Sequence, residues 1–150
     1  MTMSEQFTPL ILVLSNNPAS DPGIDFAGSR HIHYPAGTAI LRIPCSAMIR
    51  PDIILYALTH GFDGVCAAGD GPECPYLGAE CVTRTAKRIN EAQKLLKERG
   101  LNPARVVMSG VCSVCGEAFA KCVKNFSKEL AALGPVKESE WPTPEAGAAR

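Results

Sequence analysis

The chain lacks a long hydrophobic run. Across its 150 residues the longest apolar stretches are Pro9 to Leu14 and Ile53 to Leu58. Spanning a bilayer takes roughly 20 apolar residues. No basic segment precedes an apolar stretch at the N-terminus, so no secretory leader is expected and the sequence points to the cytoplasm. Excess charge of either sign is missing too: 15 Lys+Arg balance 15 Asp+Glu. A nucleic-acid binder needs a basic surplus to displace counterions, and so does a protein drawn to an anionic membrane. There is neither a G-x-x-x-x-G-K nor a G-x-G-x-x-G phosphate loop. No Ser/His/Asp set and no pair of carboxylates suggests itself as catalytic.

What is present suits a folded domain. Hydrophobic residues make up 46% and charged residues 20%, and a chain of this length buries a real core. Residues 1–8 are polar and read as a flexible N-terminus, residues 9–133 as one α/β domain, and residues 134–150 as an extended, Pro-containing tail. Trp141 in that tail is a candidate partner anchor, because aromatic anchors dominate interfaces.

Short branched runs alternate with helical periodicity. Leu10 to Leu14, Ala39 to Pro44, Gly64 to Ala68 and Arg105 to Met108 read as strands. Helices are expected from about Pro51 to Gly61, from Ala79 to Arg99 and from Glu117 to Leu133. Between Ala19 and Gly37 the prolines and glycines leave room for at most one short helix, around Phe26 to His31. This alternation predicts an α/β fold: a small three-layer sandwich with a four-stranded parallel sheet, flavodoxin/Rossmann-like.

Seven cysteines are the unusual feature. Seven cannot all pair internally, and without a secretory leader a disulfide framework is not expected. In an open parallel sheet, function collects beyond the carboxyl ends of the strands. Three of the four strand ends carry cysteine: Cys45 after the second, Cys74 after the third, Cys112 and Cys115 after the fourth. Four thiolates from three loops match the ligand set of a 2Fe–2S cluster, and equally that of a structural zinc. Cys112-x-x-Cys115 also fits a dithiol redox pair. Cys66, inside a strand, and Cys122, in step with Phe119 and Phe126, read as buried packing. Cys81, slightly off the stripe of the long helix, is a reserve ligand. His31 and His33 read as surface residues, and His60 as a residue placed at a helix C-terminus by the dipole.

From Ile11 to about Leu133 the chain resembles the delta subunit of methyl-viologen-reducing hydrogenase, the MvhD/FlpD family. The likeness is carried by Ile24-Asp25-Phe26-Ala27-Gly28-Ser29-Arg30 with Tyr34-Pro35, and by Ile40-Leu41-Arg42-Ile43-Pro44-Cys45-Ser46 with Ile49-Arg50-Pro51. Gly61-Phe62-Asp63-Gly64-Val65 and Glu73-Cys74-Pro75-Tyr76, followed by Lys87-Arg88, complete it. The resemblance implies an iron–sulfur subunit that relays single electrons through one 2Fe–2S cluster. Its implied partners are a heterodisulfide-reductase-like flavin subunit, together with a hydrogenase, formate dehydrogenase or other redox enzyme. Cys45 and Cys74 match family cysteines. Ser15, Asn16, Ala19 and the Gly69-Asp70 step stand where the family has others, and Cys112 and Cys115 are not family ligands. Two outcomes are open. Either Cys45, Cys74, Cys112 and Cys115 hold a rearranged cluster, or the domain persists as a cluster-less or zinc-stabilised docking or regulatory subunit. In a 2-1-3-4 sheet the fourth-strand loop would have to reach back across the end of the third.

Overall fold

Four short apolar runs form four parallel strands: β1 (Ile11–Asn16), β2 (Thr38–Ile43), β3 (Gly64–Gly69) and β4 (Val106–Gly110). The computed structural model describes residues 7–69 and 71–137. The N-terminal six residues, Asp70 and residues 138–150 of the tail, with Trp141, lie outside that range. The strand order is β2-β1-β3-β4, in the register Val13↔Ile40 and Val13↔Cys66 across β1, then Cys66↔Val107. Helices α1 (Ser20–Ser29), α2 (Pro51–Thr59), α3 (Ala79–Glu98) and α4 (Gly116–Leu133) connect the strands and return along the faces. The architecture is the expected α/β sandwich.

Strand side chains alternate between the two faces. Ile11, Val13, Cys66 and Ala68 meet α1 and α4, where Ile24, Ala27, Phe119, Val123, Phe126 and Leu130 close one core. Leu12, Leu14, Val65, Ala67 and Val106 meet α2 and α3, through Ile54, Leu58, Ile89 and Leu96. Each large side chain so buried contributes about 1.5–3 kcal/mol. The middle strands β1 and β3 are buried along their whole length. The edge strand β2 is not: Ile40 is 36% exposed and Leu41 47%.

Helix α1 corrects the sequence reading. It runs from Ser20 to Ser29, earlier and longer than a turn around Phe26 to His31. Pro22 lies in its first turn, where a missing N–H costs nothing. Its buried face is Ser20, Gly23, Ile24 and Ala27. That face is made mostly of small residues because α4 lies close against it. A Cβ on Gly23 would stand 2.3 Å from the Cys112 carbonyl oxygen, and one on Gly116 would stand 2.9 Å from the Ala27 backbone.

The opposite end of the sheet is fastened by Asp63 and Arg105. The Asp63 carboxylate accepts from Leu10 N–H at 2.9 Å and from Val136 N–H at 3.2 Å. Buried Arg105 donates to the Asp63 carbonyl at 3.0 Å and to the Gly134 carbonyl at 2.9 Å. Two charged groups thus tie the starts of β1, β3 and β4 to the chain leaving α4. Their charge-assisted bonds are the stronger kind.

Candidate functional site

The site lies at the carboxyl ends of the strands, where the sequence places four candidate ligands. At the end of β1, Ser15 and Asn16 are fully buried. Asn16 N–H donates to Ser20 Oγ at 2.7 Å, and Ser20 N–H donates to Asn16 Oδ1 at 2.9 Å. The Ser20 hydroxyl also meets Asn16 Oδ1 at 2.9 Å. This closed set of bonds between an amide and a hydroxyl starts α1.

At the end of β2 a 3-10 turn, Ser46–Met48, is entered through half-buried Cys45. Ser46 points inward: Thr85 Oγ1 donates to its Oγ at 3.1 Å, and the Cys81 sulfur is 3.5 Å away. Gly69, at the end of β3, packs directly on Ser46. Cys81 and Thr85 are both fully buried. The inner face of α3 is therefore Cys81, Thr85, Ile89, Ala92 and Leu96, so Cys81 is on the buried stripe and not slightly off it. The signal missed is Thr85, a polar residue satisfied by Ser46. Cys74 is a buried thiol in the loop before α3, its N–H bonded to the Gly71 carbonyl.

At the end of β4, Cys112 and Cys115 are joined in a disulfide. It is a single bond and no framework, at the pair whose spacing also allows a dithiol. Cys112 is exposed and Cys115 half-buried, immediately before α4. Their loop leans on α1 through Gly23. The candidates thus divide between two sides of the rim. Ser46, next to Cys45, meets Cys81 on the α3 side, and the disulfide loop lies on the α1 side.

A 2Fe–2S cluster or a zinc ion needs ligands that converge on one point. Among the described residues no three His, Cys, Asp or Glu side chains do so. Two of the four predicted ligands are bonded to each other. The buried rim atom with no partner, Asn16 Nδ2, is a hydrogen-bond donor and brings no lone pair to a metal. As arranged, the described residues do not fit the group.

Cys66 and Cys122 are more than packing. The Cys66 thiol, buried in β3, donates to the Cys122 sulfur on α4 and, with help from Ser109, holds the Cys122 pKa down to about 6. The same bond, together with burial, pushes Cys66 well above the ordinary thiol value. Nothing in the spacing of two cysteines 56 positions apart announces this contact; it follows from how α4 lies on β3 and β4.

Comparison with known proteins is consistent with this frame. Residues 11–134 match the family described as methyl-viologen-reducing hydrogenase, delta subunit. An iron-sulfur subunit of the F420-non-reducing hydrogenase of Archaeoglobus profundus is 34% identical over 139 residues, covering 90% of this chain and 98% of the relative. The vhc hydrogenase iron-sulfur subunit of Methanococcus voltae is 30% identical over 139 residues, covering 92% and 95%. One subunit of the ferredoxin:CoB-CoM heterodisulfide reductase of Methanosarcina mazei is 34% identical over 129 residues, which is 85% of this chain but 16% of that protein. The chain is a member of the methyl-viologen-reducing hydrogenase delta subunit family.

Proposed function

We propose that this chain is a docking subunit of a redox-enzyme complex of the hydrogenase or heterodisulfide-reductase kind, seated on a flavin-containing partner. The observation that carries this reading is the bare β2 edge. Ile40 is 36% exposed and Leu41 47%, on a strand paired only to β1 among the described residues. An apolar edge strand of this kind is ordinarily covered. The Methanosarcina mazei relative supports the choice of partner: there a domain like this one is 16% of a heterodisulfide reductase polypeptide. At the rim, hydroxyl and amide groups take the places of family cysteines, which suits a protein that positions its neighbours more than one that carries a cluster.

The second reading is single-electron relay through one 2Fe–2S cluster on Cys45, Cys74, Cys112 and Cys115, favoured by the iron-sulfur names of the relatives. Iron and acid-labile sulfide, measured on anaerobically purified protein together with its native partners, separate the two. Docking predicts no iron assignable to this chain and co-purification that is lost when Ile40 and Leu41 are replaced by Lys. About two irons and two sulfides per chain, the content of one such cluster, would replace the docking reading by the relay.

A further inference from the structure

We propose that Cys112 and Cys115 form a reversible exchange site that takes two electrons from a dithiol. It lies apart from the β2 edge and does not depend on docking. Three features of the pair support it.

The first is that the bond has little to hold together. It closes a loop of sequence separation 3, and a loop that short constrains the unfolded chain least. The loop is already fixed by its backbone. Val111 N–H donates to the Gly69 carbonyl at 3.0 Å, Cys115 N–H to the Cys112 carbonyl at 3.0 Å, and Phe119 N–H to the Cys115 carbonyl at 2.9 Å. Gly23 of α1 lies beneath the Cys112 carbonyl, and Gly116 packs on Ala27. The backbone that carries both sulfurs is held by contacts other than the bond between them.

The second is an asymmetry suited to exchange. Cys112 is exposed and Cys115 half-buried, so an incoming thiolate meets Cys112 first. Cys115 immediately precedes the 18 residues of α4. The positive end of that helix favours the thiolate that leaves, and a good leaving thiolate speeds exchange.

The third is a groove beside the bond, lined by Phe26, Arg30 and Ile32 of the α1 side and by Val114, Cys115 and Glu117. Val114 is 68% exposed, and Arg30 lies over the Phe26 ring at 5.4 Å. An extended segment bearing two thiols can rest in this mixed polar and apolar groove, against Val114 and beside Arg30 and Glu117.

The chemistry balances. A partner thiolate attacks Cys112 Sγ. The Cys112–Cys115 bond breaks, a mixed disulfide forms, and Cys115 leaves as a thiolate that takes a proton from solvent. The partner's second thiol loses its proton to solvent and attacks the partner's own sulfur in the mixed bond. This releases Cys112, which is protonated in turn. The partner dithiol is oxidised to a disulfide, and this chain gains two electrons and two protons.

The test uses the full chain and dithiothreitol. The protein is equilibrated anaerobically over graded ratios of reduced to oxidised reagent, quenched in acid, and labelled under denaturing conditions with a maleimide. Five labels per chain, one for each cysteine outside the disulfide, should become seven in one two-electron step. Circular dichroism should be unchanged across it. At pH 7, Cys115→Ser should form a mixed disulfide with 5,5′-dithiobis(2-nitrobenzoate) at Cys112 at least tenfold faster than Cys112→Ser does at Cys115, each sulfur being read by peptide mass. A pair that stays oxidised until the protein unfolds, a reduction that itself unfolds the domain, or two variants that react alike would overturn the proposal. If a variant does not fold, the wild-type titration with its dichroism decides alone. Label number does not depend on partner binding, so the docking reading and this one fail separately.

Discussion

Gly23 and Gly28 share helix α1, yet alanine at the two positions is expected to move stability in opposite directions. At Gly28 nothing stands within 4 Å of an added Cβ. Only the backbone entropy of glycine is removed there, and Gly28→Ala should stabilise by about 0.5–1 kcal/mol. The same gain is available at Gly23, but its Cβ would lie 2.3 Å from the Cys112 carbonyl oxygen and 3.1 Å from Val111 Cγ1. A carbonyl held in a tight loop cannot swing away as a flexible side chain can, so α1 must move off α4. Overpacking of this kind costs about 1–3 kcal/mol. At the upper end of that range it outweighs the propensity gain, leaving a net loss of about 2 kcal/mol. Gly116→Ala, 2.9 Å from the Ala27 backbone, should share the sign. Urea unfolding checks all three, with midpoints compared at unchanged slope. A Gly23→Ala protein as stable as Gly28→Ala would refute the close α1–α4 contact and, with it, the anchoring of the disulfide loop.

Three further outcomes are expected. Alkylation of Cys122 by iodoacetamide should rise with an inflection near pH 6, and Cys66→Ala should move that inflection up toward the ordinary thiol value, since the donor is lost. Between about pH 6 and 9 folded Cys122 has released a proton that the unfolded chain keeps, so its contribution makes stability rise across that window. Above 9 folded Cys66 keeps a proton that the unfolded chain loses, so its contribution falls. Denaturant midpoints that stay flat from pH 6 to 9 in wild type and Cys122→Ala alike would contradict the thiol pair. Asp63→Ala strands two backbone N–H donors, those of Leu10 and Val136. It should cost about 2–4 kcal/mol, read as a lowered thermal midpoint. Leu130→Ala, at a fully buried position, should cost about 2–5 kcal/mol, and a loss under 1 kcal/mol would mean that α4 is not seated on the sheet.

The strands are legible because each is a short, largely apolar run bounded by turn residues, even β3, whose one branched residue is Val65. Helix α1 is not, because its inner face is Ser20, Gly23, Ile24 and Ala27; close helix contact selects small residues, which leave almost no hydrophobic periodicity. The start of the α3 stripe misleads for a related reason. Thr85 and Cys81 are buried with Ser46, and apolar spacing cannot detect polar groups that satisfy one another. The cysteines at the strand ends are legible one by one. Their division is not, because a rim has two sides: the loop after β4 leans on α1 while the turn after β2 leans on α3. Which side a loop takes depends on the crossovers, not on the spacing of cysteines.

The half-covered β2 also bears on how the chain must be supplied. A strand with one side unpaired is a template for any other free edge. Its single charge does little to deter this, because Arg42 is held by Asp21 at 2.8 Å. If the docking proposal holds, copies made in excess of the partner would be open to meeting edge to edge through Ile40 and Leu41, and balanced synthesis of the two chains would guard against it.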